Sequence, residues 1–586
     1  MSKSSPTPSI DAIRHTLAHL LAHAVLESYP TAKLGIGPSI DNGFYYDFEL
    51  PKPLSAADLK PIEKRMRHLI KQRLPVTQLV DTDPTIATFM DGQPFKQELR
   101  KEFSGAGQNV TYYQVGSFID LCRGGHVDST GDIPSDAFTL THVAGAYWRG
   151  DEKRPMLQRI YGLAFTTKAE LDAHQTHLAE AKKRDHKIIG PQLDLFTFSE
   201  LVGAGLPLWT PRGTLVRHLL DAYVWELRQA VGYERVEIPH ITKQDLYEKS
   251  GHWAKFQDEL FKIKTREDHV FAMKPMNCPH HTQIYARKQH SYRELPQRYA
   301  NTTMCYRDEQ TGELSGISRA RAFTQDDAHV FCRESQVQDE MKKIWRIVTA
   351  FYRAAGFNLQ PRLSLHDPAH PDKYLGEATS WKTAENALRT LAKSEKAKVT
   401  EAIGEAAFYG PKIDFLAQDS IGREWQVATI QLDLNLPERF DLTCVNEKGD
   451  HERIVMIHAA IMGSIERFLS ILIEHTAGAF PLWLSPVQVQ VVPVAKKHNA
   501  TGKKLSTLLN AAGIRVHLDT TDESVGYKIR KAEKDKVPYM IVVGDKERSL
   551  KTLAIRVRGK SAVRTKTVKA FIDDIVVKTA KRATTL

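Results

Sequence analysis

The sequence predicts a multidomain protein of mixed α+β and α/β construction, organised around a central antiparallel sheet. Three observations carry this. The chain has 586 residues, enough for three or four domains. Residues 190–482 hold many short strand-like runs with sparse helical stretches, the pattern of an antiparallel sheet. After Pro481 and Pro486 strand and helix patterns alternate, which predicts a small α/β domain with a mostly parallel sheet.

Each element has its own signal. Residues 10–30 repeat apolar positions at helical spacing, with Asp11 near the start. Residues 30–165 mix short strand-like runs with Gly-rich turns. Residues 166–187, TTKAELDAHQTHLAEAKKRDHK, read as one polar helix. It has few large apolar residues, so a bridge between domains is expected, ended by Gly190 and Pro191. Residues 213–231 predict a long helix leading into the strand-like run ERVEIPHI. Further strands are expected at FAMKP, TTMCYR, AFTQDDAHVF, KIDFLA, EWQVATIQLD and VMIHAAI. Beyond them VQVQVVPV, IRVHLD and PYMIVVGD read as strands and KKLSTLLNAAG as a helix. The expected divisions are 1–165, 166–189, 190–482 and 483–586.

Composition narrows the class. Hydrophobic residues make up 42% and charged residues 26%, so each domain can bury its own core. No stretch approaches the roughly 18 apolar residues of a membrane-spanning helix, and no membrane partner is expected. Residues 1–9 are polar, with two prolines, and carry no apolar block of a secretory signal. Cys122, Cys278, Cys305, Cys332 and Cys444 are odd in number and scattered. That predicts free thiols in a reducing compartment, the cytoplasm. The net charge of +11 is local: from Trp483 onward there are 22 Lys and Arg against 9 Asp and Glu, and before it 59 against 61. A basic domain of this kind suits an anionic partner or a solvated basic face.

Three sets of residues carry candidate chemistry. CYRDEQTGELSGISRARAF sets Arg307 and Glu309 before a turn and Arg319, Arg321 and Phe323 after it. A hairpin would bring these ends together, where arginines grip phosphate and a ring stacks on a base. A surface hairpin of solvated charges has the same pattern. Cys278, His329 and His458 are far apart, and their spacing reveals no metal site, since such residues are usually buried structural groups. RHTLAHLLAHAV places His15, His19 and His23 on one helical face, and DLCRGGH adds Asp120, Cys122 and His126. These could bind zinc, form a polar hydrolytic cluster, or sit satisfied on a packed helix.

In order along the chain these segments resemble the class II aminoacyl-tRNA synthetases. Arg307, Glu309 and Phe323 match motif 2, Gly463, Glu466 and Arg467 of GSIERF match motif 3, and the helix and strand ending at Pro239 resemble motif 1. The resemblance implies an antiparallel-sheet catalytic core and adenylate formation with ATP and Mg2+. Arg307 would grip the α-phosphate and Arg467 the γ-phosphate, with Glu309 and Phe323 at the adenine and Arg319 on the nucleotide. Such in-line attack is helped mainly by positioning and charge neutralisation. KPMNCPHH, QDDAHVF and VMIHAAIMGS resemble the zinc-ligand segments of the threonyl-tRNA synthetase family. Carried over, Cys278, His329 and His458 hold one Zn2+ with an open position. Asp327 would take the threonine hydroxyl. Tyr409, Lys412, Gln426, Thr429 and Gln431 would line the pocket and contact the adenylate. A site built around a hydroxyl rejects valine strongly, but serine lacks only a methyl, worth roughly 1–3 kcal/mol, so a second hydrolytic site is expected.

The N-terminal region resembles the family's editing domain, related to that of the alanyl enzyme. His19, His23, Cys122 and His126 would line its pocket, with Asp120 and Lys96 at its other functional positions. Water-mediated hydrolysis of seryl-tRNA(Thr) is implied, with no metal assigned. The C-terminal residues resemble the class IIa anticodon-binding fold, with Glu547 and Arg556 placed to read bases of tRNA(Thr) and the basic excess placed to hold its backbone. Motif 1 implies a homodimer. Many bacterial relatives begin with an additional small domain that this chain lacks, so tRNA affinity or editing efficiency is expected to differ. Further departures are Gly125 where Pro is usual, His280 where CPGH is usual, Ala322 and Ala428 where Gly is common, and Ala459 where Arg is common. Ala322 and Ala428 are expected to tighten the pocket by a methyl each. An inactive, synthetase-like RNA-binding regulator is the competing reading, against which Arg307, Arg467, Cys278, His329 and His458 are all present. A seryl or prolyl ligase is a third, opposed by the editing segments and QDDAH.

Overall fold

The computed structural model describes residues 8–586; most of the polar start read above, residues 1–7, lies outside the described residues. The chain forms two compact units, Met1–Ala179 and Glu180–Leu586.

In the first unit, α1 (Ile10–Ser28) begins where the Ala12 amide donates to the Ser9 hydroxyl, with Asp11 in the first turn. Every residue from Thr16 to Val25 is buried, so its histidines are enclosed by protein. β1 (Gly43–Glu49) and α2 (Ala56–Lys71) pack beside it. β2 (Val76–Leu79), β3 (Tyr112–Val115) and β4 (Phe118–Leu121) make a small antiparallel sheet that carries Asp120, and α3 (Pro94–Gly105) brings Lys96. β5 (Phe138–Tyr147) and β6 (Met156–Ala164) return to pair with β1 in the order β1–β6–β5.

The polar run 166–187 is not one helix. α4 spans Lys168–Arg184, and the chain restarts as α5 (His186–Gln192) because the Asp185 carboxylate accepts from the Lys187 amide at 2.8 Å. Gly190 and Pro191 lie inside α5. Gly190 is there for space, since a Cβ would meet the Phe196 ring at 2.2 Å.

α6 (Pro211–Gln229) opens with Thr210 as cap and Pro211 at its first position. ERVEIPHI is not one strand: β7 (Glu234–Arg235) is two residues long, and Ile241 opens a separate short strand, Ile241–Lys243; Pro239 lacks a donor and restrains the residue before it. α7 (Cys278–Ala286) precedes β8 (Gln297–Tyr306), which forms a hairpin with β9 (Ala322–Cys332). Then come α8 (Val337–Ala355), β10 (Leu359–Leu365), α9 (Ala378–Ser394), β11 (Thr400–Ile403), β12 (Lys412–Gln418), β13 (Glu424–Asp433), β14 (Val455–Ser464) and α10 (Ile465–Thr476). The sheet order is β7–β8–β9–β14–β13–β12–β10–β11. It is antiparallel except at its two edges, where β7 runs parallel to β8 and β11 to β10. Side chains alternate across it. Ala328, Val330, Ile430, Ile457 and Ala459 join a core with α6, α8 and α10. Asp327, His329, Gln431 and His458 take the opposite face.

The C-terminal part runs β15 (Val489–Pro493), α11 (Asn499–Ala511), β16 (Val516–Leu518), α12 (Val525–Lys534), β17 (Tyr539–Val543), β18 (Thr552–Val557), β19 (Val563–Thr567) and α13 (Val568–Ala580). Its sheet, ordered β16–β15–β17–β18–β19, is not mostly parallel: two pairings are parallel and two antiparallel. β17, β18 and β19 follow one another through loops, with no helical crossover to make them parallel. The Arg582 guanidinium stacks 3.8 Å above the Tyr223 ring of α6, and Arg558 donates to the Phe480 carbonyl at 2.7 Å. Among the described residues no helix is long and apolar enough to cross a membrane.

Gly213 lies in the first turn of α6, where a Cβ would stand 1.8 Å from the Leu195 carbonyl oxygen. Backbone cannot step aside as a side-chain tip can. Gly213→Ala is expected to destabilise the unit by about 1–3 kcal/mol, read as a lower urea midpoint.

Candidate active site

Sheet register assembles the central cluster. His329 of β9 stands opposite His458 of β14, and His458 opposite Gln431 of β13. Cys278, at the start of α7, comes to the same face. The ligand atoms of Cys278, His329 and His458 all lie within 4.8 Å of one another, and all three residues are buried. His329 Nε2 faces His458 Nδ1 at 3.1 Å. The other nitrogen of His458 donates to Asp433 at 2.9 Å, which leaves a lone pair on Nδ1. His329 Nδ1 lies 2.7 Å from His281 Nδ1. A proton on His329 Nε2, or a cation shared by the two imidazoles, satisfies this arrangement.

The donor set fits zinc. One sulfur and two imidazoles are its preferred ligands, and each imidazole has an outer partner, His281 or Asp433, that holds its ring. Burial holds His329 well below the ordinary histidine range, in the neutral, ligating form. Burial also pushes the Cys278 thiol well up, so a thiolate here needs a cation beside it.

Around this cluster Asp327 accepts from Asn277 Nδ2 at 3.2 Å and lies 3.7 Å from His329 Nε2. The Tyr409 ring stacks on His458 with centroids 5.0 Å apart, and its hydroxyl donates to Gln431 at 2.8 Å. Lys412 Nζ lies 2.9 Å from the buried Asp414 carboxylate, which also accepts from Gln426 at 2.7 Å. Thr429 is aligned with Asp414 on one side and Ala460 on the other. Two neighbours had no sequence signal. His281 sits beside a predicted ligand, and the buried His252 places Nε2 3.8 Å from Cys278 Sγ. Only the packing of separate segments reveals them.

The β8–β9 hairpin closes as expected: the Arg307 amide donates to the Arg321 carbonyl at 2.9 Å. A cavity of about 320 Å3 beside it is lined by Arg307, Glu309, Arg319, Phe323 and Arg467. The Arg307 guanidinium lies 5.4 Å from the Phe323 ring centre, and its buried Nε has no hydrogen-bond partner among the described residues. Burial and the neighbouring Arg319 lower the pKa of Arg467, with no acid to counter them. Arg319, by contrast, is paired with Glu309 at 2.6 Å and Glu313 at 3.1 Å. Glu466 accepts from the Thr324 amide at 2.6 Å and from Arg217 at 3.0 Å, tying the start of α10, and so Arg467, to β9. Two converging guanidiniums without carboxylates make an anion site.

The N-terminal unit holds a second cluster, of His15, His19, Cys122 and His126. Lys96 and Asp120 pair beside it at 2.5 Å, both fully buried; Tyr46 donates to Asp120 at 2.6 Å, and His19 lies 3.6 Å away. Removing one partner of such a pair costs about 3–5 kcal/mol. His15 belongs to the group, stacked on His126 at 4.1 Å. His23 is not brought into it: its ring stacks on Phe118 and its Nε2 lies 3.4 Å from Glu27. The Thr16 hydroxyl donates its proton to the Ala12 carbonyl, so His126 Nδ1, 3.2 Å from the Thr16 hydroxyl oxygen, carries the ring proton. His126 Nε2 then accepts from the Cys122 thiol at 3.1 Å. Burial pushes that thiol up to about 12 and His126 down to about 2. A neutral thiol beside a neutral imidazole is not an activated nucleophile.

Of the departures, Ala428 packs in the core with Phe415 and Ile430, so its methyl does not narrow the cavity. Gly125 has φ +83°, which a proline cannot adopt. Glu547 accepts from the Gly544 amide at 3.0 Å in the loop after β17, and Arg556 lies on β18 opposite Met540.

Comparison with known proteins bears on all three regions. Residues 261–476 match the tRNA synthetase class II core domain (G, H, P, S and T), 488–578 an anticodon binding domain, and 110–161 the threonyl and alanyl tRNA synthetase second additional domain. The threonine–tRNA ligase of Acetivibrio thermocellus is 44% identical over 568 residues, covering 97% of this chain and 88% of that protein. That of Thermus thermophilus is 46% identical over 577 residues, covering 96% and 87%. The solved RNA binding domain of threonyl-tRNA synthetase from Cryptosporidium parvum superimposes with a TM-score of 0.64 at 33% identity, over 67% of this chain and 98% of that one. A prolyl-tRNA synthetase of Giardia lamblia, with a TM-score of 0.55 at 16% identity, covers 70% and 81% and shares the fold alone.

The N-terminal histidines yield a pH prediction. His15, His19 and His126 are all lowered from 6.5 by burial, so the unfolded chain binds more protons than the folded one below that pH. Stability therefore falls on acidification. Protection of α1 amides from hydrogen exchange, corrected for intrinsic rates, is expected to drop between pH 7 and pH 5. His126→Asn is expected to make that drop smaller.

Proposed function

This chain belongs to the threonine–tRNA ligase family, and on that premise we propose that the β9–β14–β13 face is its threonine site, with Cys278, His329 and His458 holding one Zn2+. The protein is an ATP-dependent ligase that charges tRNA with threonine and edits mischarged tRNA, using a class II core, an anticodon-binding domain and an editing domain. The reading as an inactive RNA-binding regulator is not supported. The observation that carries the site assignment is the convergence of three buried donors from distant segments on one sheet face.

In this reading Arg307 and Arg467 receive the phosphates of ATP, which arrives with Mg2+, because each brings charge that no protein carboxylate has claimed. Phe323 offers its face to the adenine, with Glu309 and Arg319 beside it. Lys412, Gln426 and Thr429 flank the adenylate, the first two held by Asp414. Asp327, steadied by Asn277, accepts a hydrogen bond from the threonine hydroxyl, and Tyr409 and Gln431 complete the pocket. Valine would leave the buried Asp327 with Asn277 but without the hydroxyl donor that threonine brings. Zn2+ bound by the three residues would supply Lewis acidity toward the amino acid's own donor groups.

Serine passes that test, so the editing domain must remove it. Lys96, Asp120, His19, Cys122 and His126 enclose the ester of seryl-tRNA(Thr), with His23 at the flank. The neutral Cys122 favours attack by water over attack by sulfur. Glu547 and Arg556 contact the anticodon. The working divisions are an editing domain over 1–165, a linker over 166–189, a catalytic domain over 190–482 and an anticodon-binding domain over 483–586. The exposed Phe198, Leu201, Val202 and Leu208 just before α6 support a homodimer formed there. Five free thiols, four of them buried, support residence in the cytoplasm.

Threonine is expected to drive exchange of pyrophosphate into ATP, and Cys278→Ala to lose bound zinc and at least about 100-fold in exchange; exchange driven by another amino acid but not threonine would overturn the assignment. The His19→Ala, Cys122→Ala double variant is expected to accumulate seryl-tRNA(Thr) while threonine activation is unchanged. Equal seryl-tRNA release from the unsubstituted enzyme would remove the editing role from this cluster.

A further inference from the structure

Asp326 lies between two residues of the active-site strand but faces the helical side of the sheet, with no solvent exposure. Its Oδ2 accepts from the Ile461 amide at 3.0 Å and its Oδ1 from the Met462 amide at 2.9 Å. These amides belong to β14 at the place where its register with β9 slips, between Gln325 and Asp327. The carboxylate thus stands in for ladder bonds that the bulge has removed. The Tyr352 hydroxyl of α8 donates to the Ile461 carbonyl at 2.8 Å, closing the same irregularity from the other side.

A buried carboxylate needs a counter-charge, and it comes from α6. Arg228 is 2% exposed. Its Nη2 lies 3.3 Å from Asp326 Oδ2, 2.9 Å from the Asp326 carbonyl oxygen and 3.3 Å from the Ala459 carbonyl oxygen. One guanidinium nitrogen therefore bridges β9 and β14 across the bulge. Ala459 is 1% exposed in the apolar core and brings no charge. Burial pushes the Asp326 carboxyl up to about 7, against the pull of Arg228 and the two amides.

We propose that Arg228 is a positioning residue for the threonine site, supplying from α6 the buried cation that locks Asp326 in the bulge and thereby sets Asp327 and His329. Arg228 does not line the nucleotide cavity. Its effect passes through one peptide unit, because Asp327 follows Asp326 and projects to the opposite face. A misplacement of about 1 Å at a reacting group costs on the order of 100-fold, so small slips of this bulge are large in rate. The inference rests on the assignment of Asp327 and the Cys–His–His cluster to threonine.

The test relocates the charge. Arg228→Met is expected to raise the KM for threonine in pyrophosphate exchange by about tenfold, with seryl-tRNA hydrolysis by the N-terminal unit unchanged. Adding Ala459→Arg to that variant is expected to bring the KM back to within about threefold of the unsubstituted enzyme, since the new guanidinium starts beside the same carboxylate. A folded Arg228→Met with unaltered threonine KM, or a double variant no better than the single one, would overturn the proposal. If Arg228→Met does not fold, Arg228→Gln keeps an N–H donor and removes the charge. A several-fold rise in threonine KM in that variant supports the role, and an unchanged KM refutes it. The unsubstituted enzyme, run alongside, separates the two levels. Absence of threonine-dependent exchange there removes the site assignment itself, whereas normal exchange there with normal KM in the variants removes only Arg228.

Discussion

The antiparallel ladder that joins β9, β14 and β13 is the constraint on which the rest depends. Its register puts His329, His458 and Gln431 in one row, and a slip of one residue would turn all three into the helical core. Ala328, Ala459 and Ile430 form the matching row on the other face and pack against α6, α8 and α10. The apolar side thus holds the polar side in place. Burial there costs the site residues their solvation, and the arrangement tolerates it because each has a partner within reach.

Charge compensation divides this unit into framework and site. Asp414 is matched by Lys412 and Gln426, Glu466 by Arg217 and the Thr324 amide, and Asp326 by Arg228 and two amides of β14. Each of these buried acids joins segments that must not move apart. Arg307 and Arg467 are the contrast: both line one cavity, and neither has an ion pair among the described residues. Arg307 is half-buried and Arg467 is exposed, so both can carry their charge at the cavity wall. Guanidiniums without an ion pair at a cavity wall suit the binding of an anion.

The N-terminal cluster follows a different rule. Among the described residues its only close ion pair is Lys96 with Asp120, and the histidines and Cys122 around it are held neutral by burial. In the proposed editing role, such surroundings would order a polar substrate and a water without offering a strong nucleophile. That suits an editing step, which must cleave a labile ester without competing with the chemistry that made it.

Much was legible in the sequence, and for identifiable reasons. Local periodicity determined α1, α6 and the strands β8, β9, β12, β13 and β14 of the central sheet, but not β10 (Leu359–Leu365). Composition determined the basic C-terminal part, and the arginines around the 307–323 turn could be read as a hairpin because both halves lie close in sequence. Local pattern failed where a cap or a connection decides. Asp185 ends one helix and starts another by a single hydrogen bond, and β18 and β19 turn back in the C-terminal sheet because no helix intervenes. Tertiary structure alone decided the rest. Cys278, His329 and His458 have no meaningful spacing and meet only through register. His15 enters the N-terminal cluster and His23 leaves it according to how α1 packs on Phe118. His281, His252 and Arg228 become visible only when segments far apart in the chain lie side by side. Periodicity is a property of neighbours along the chain, whereas a buried charge or a shared ligand position is a property of neighbours in space.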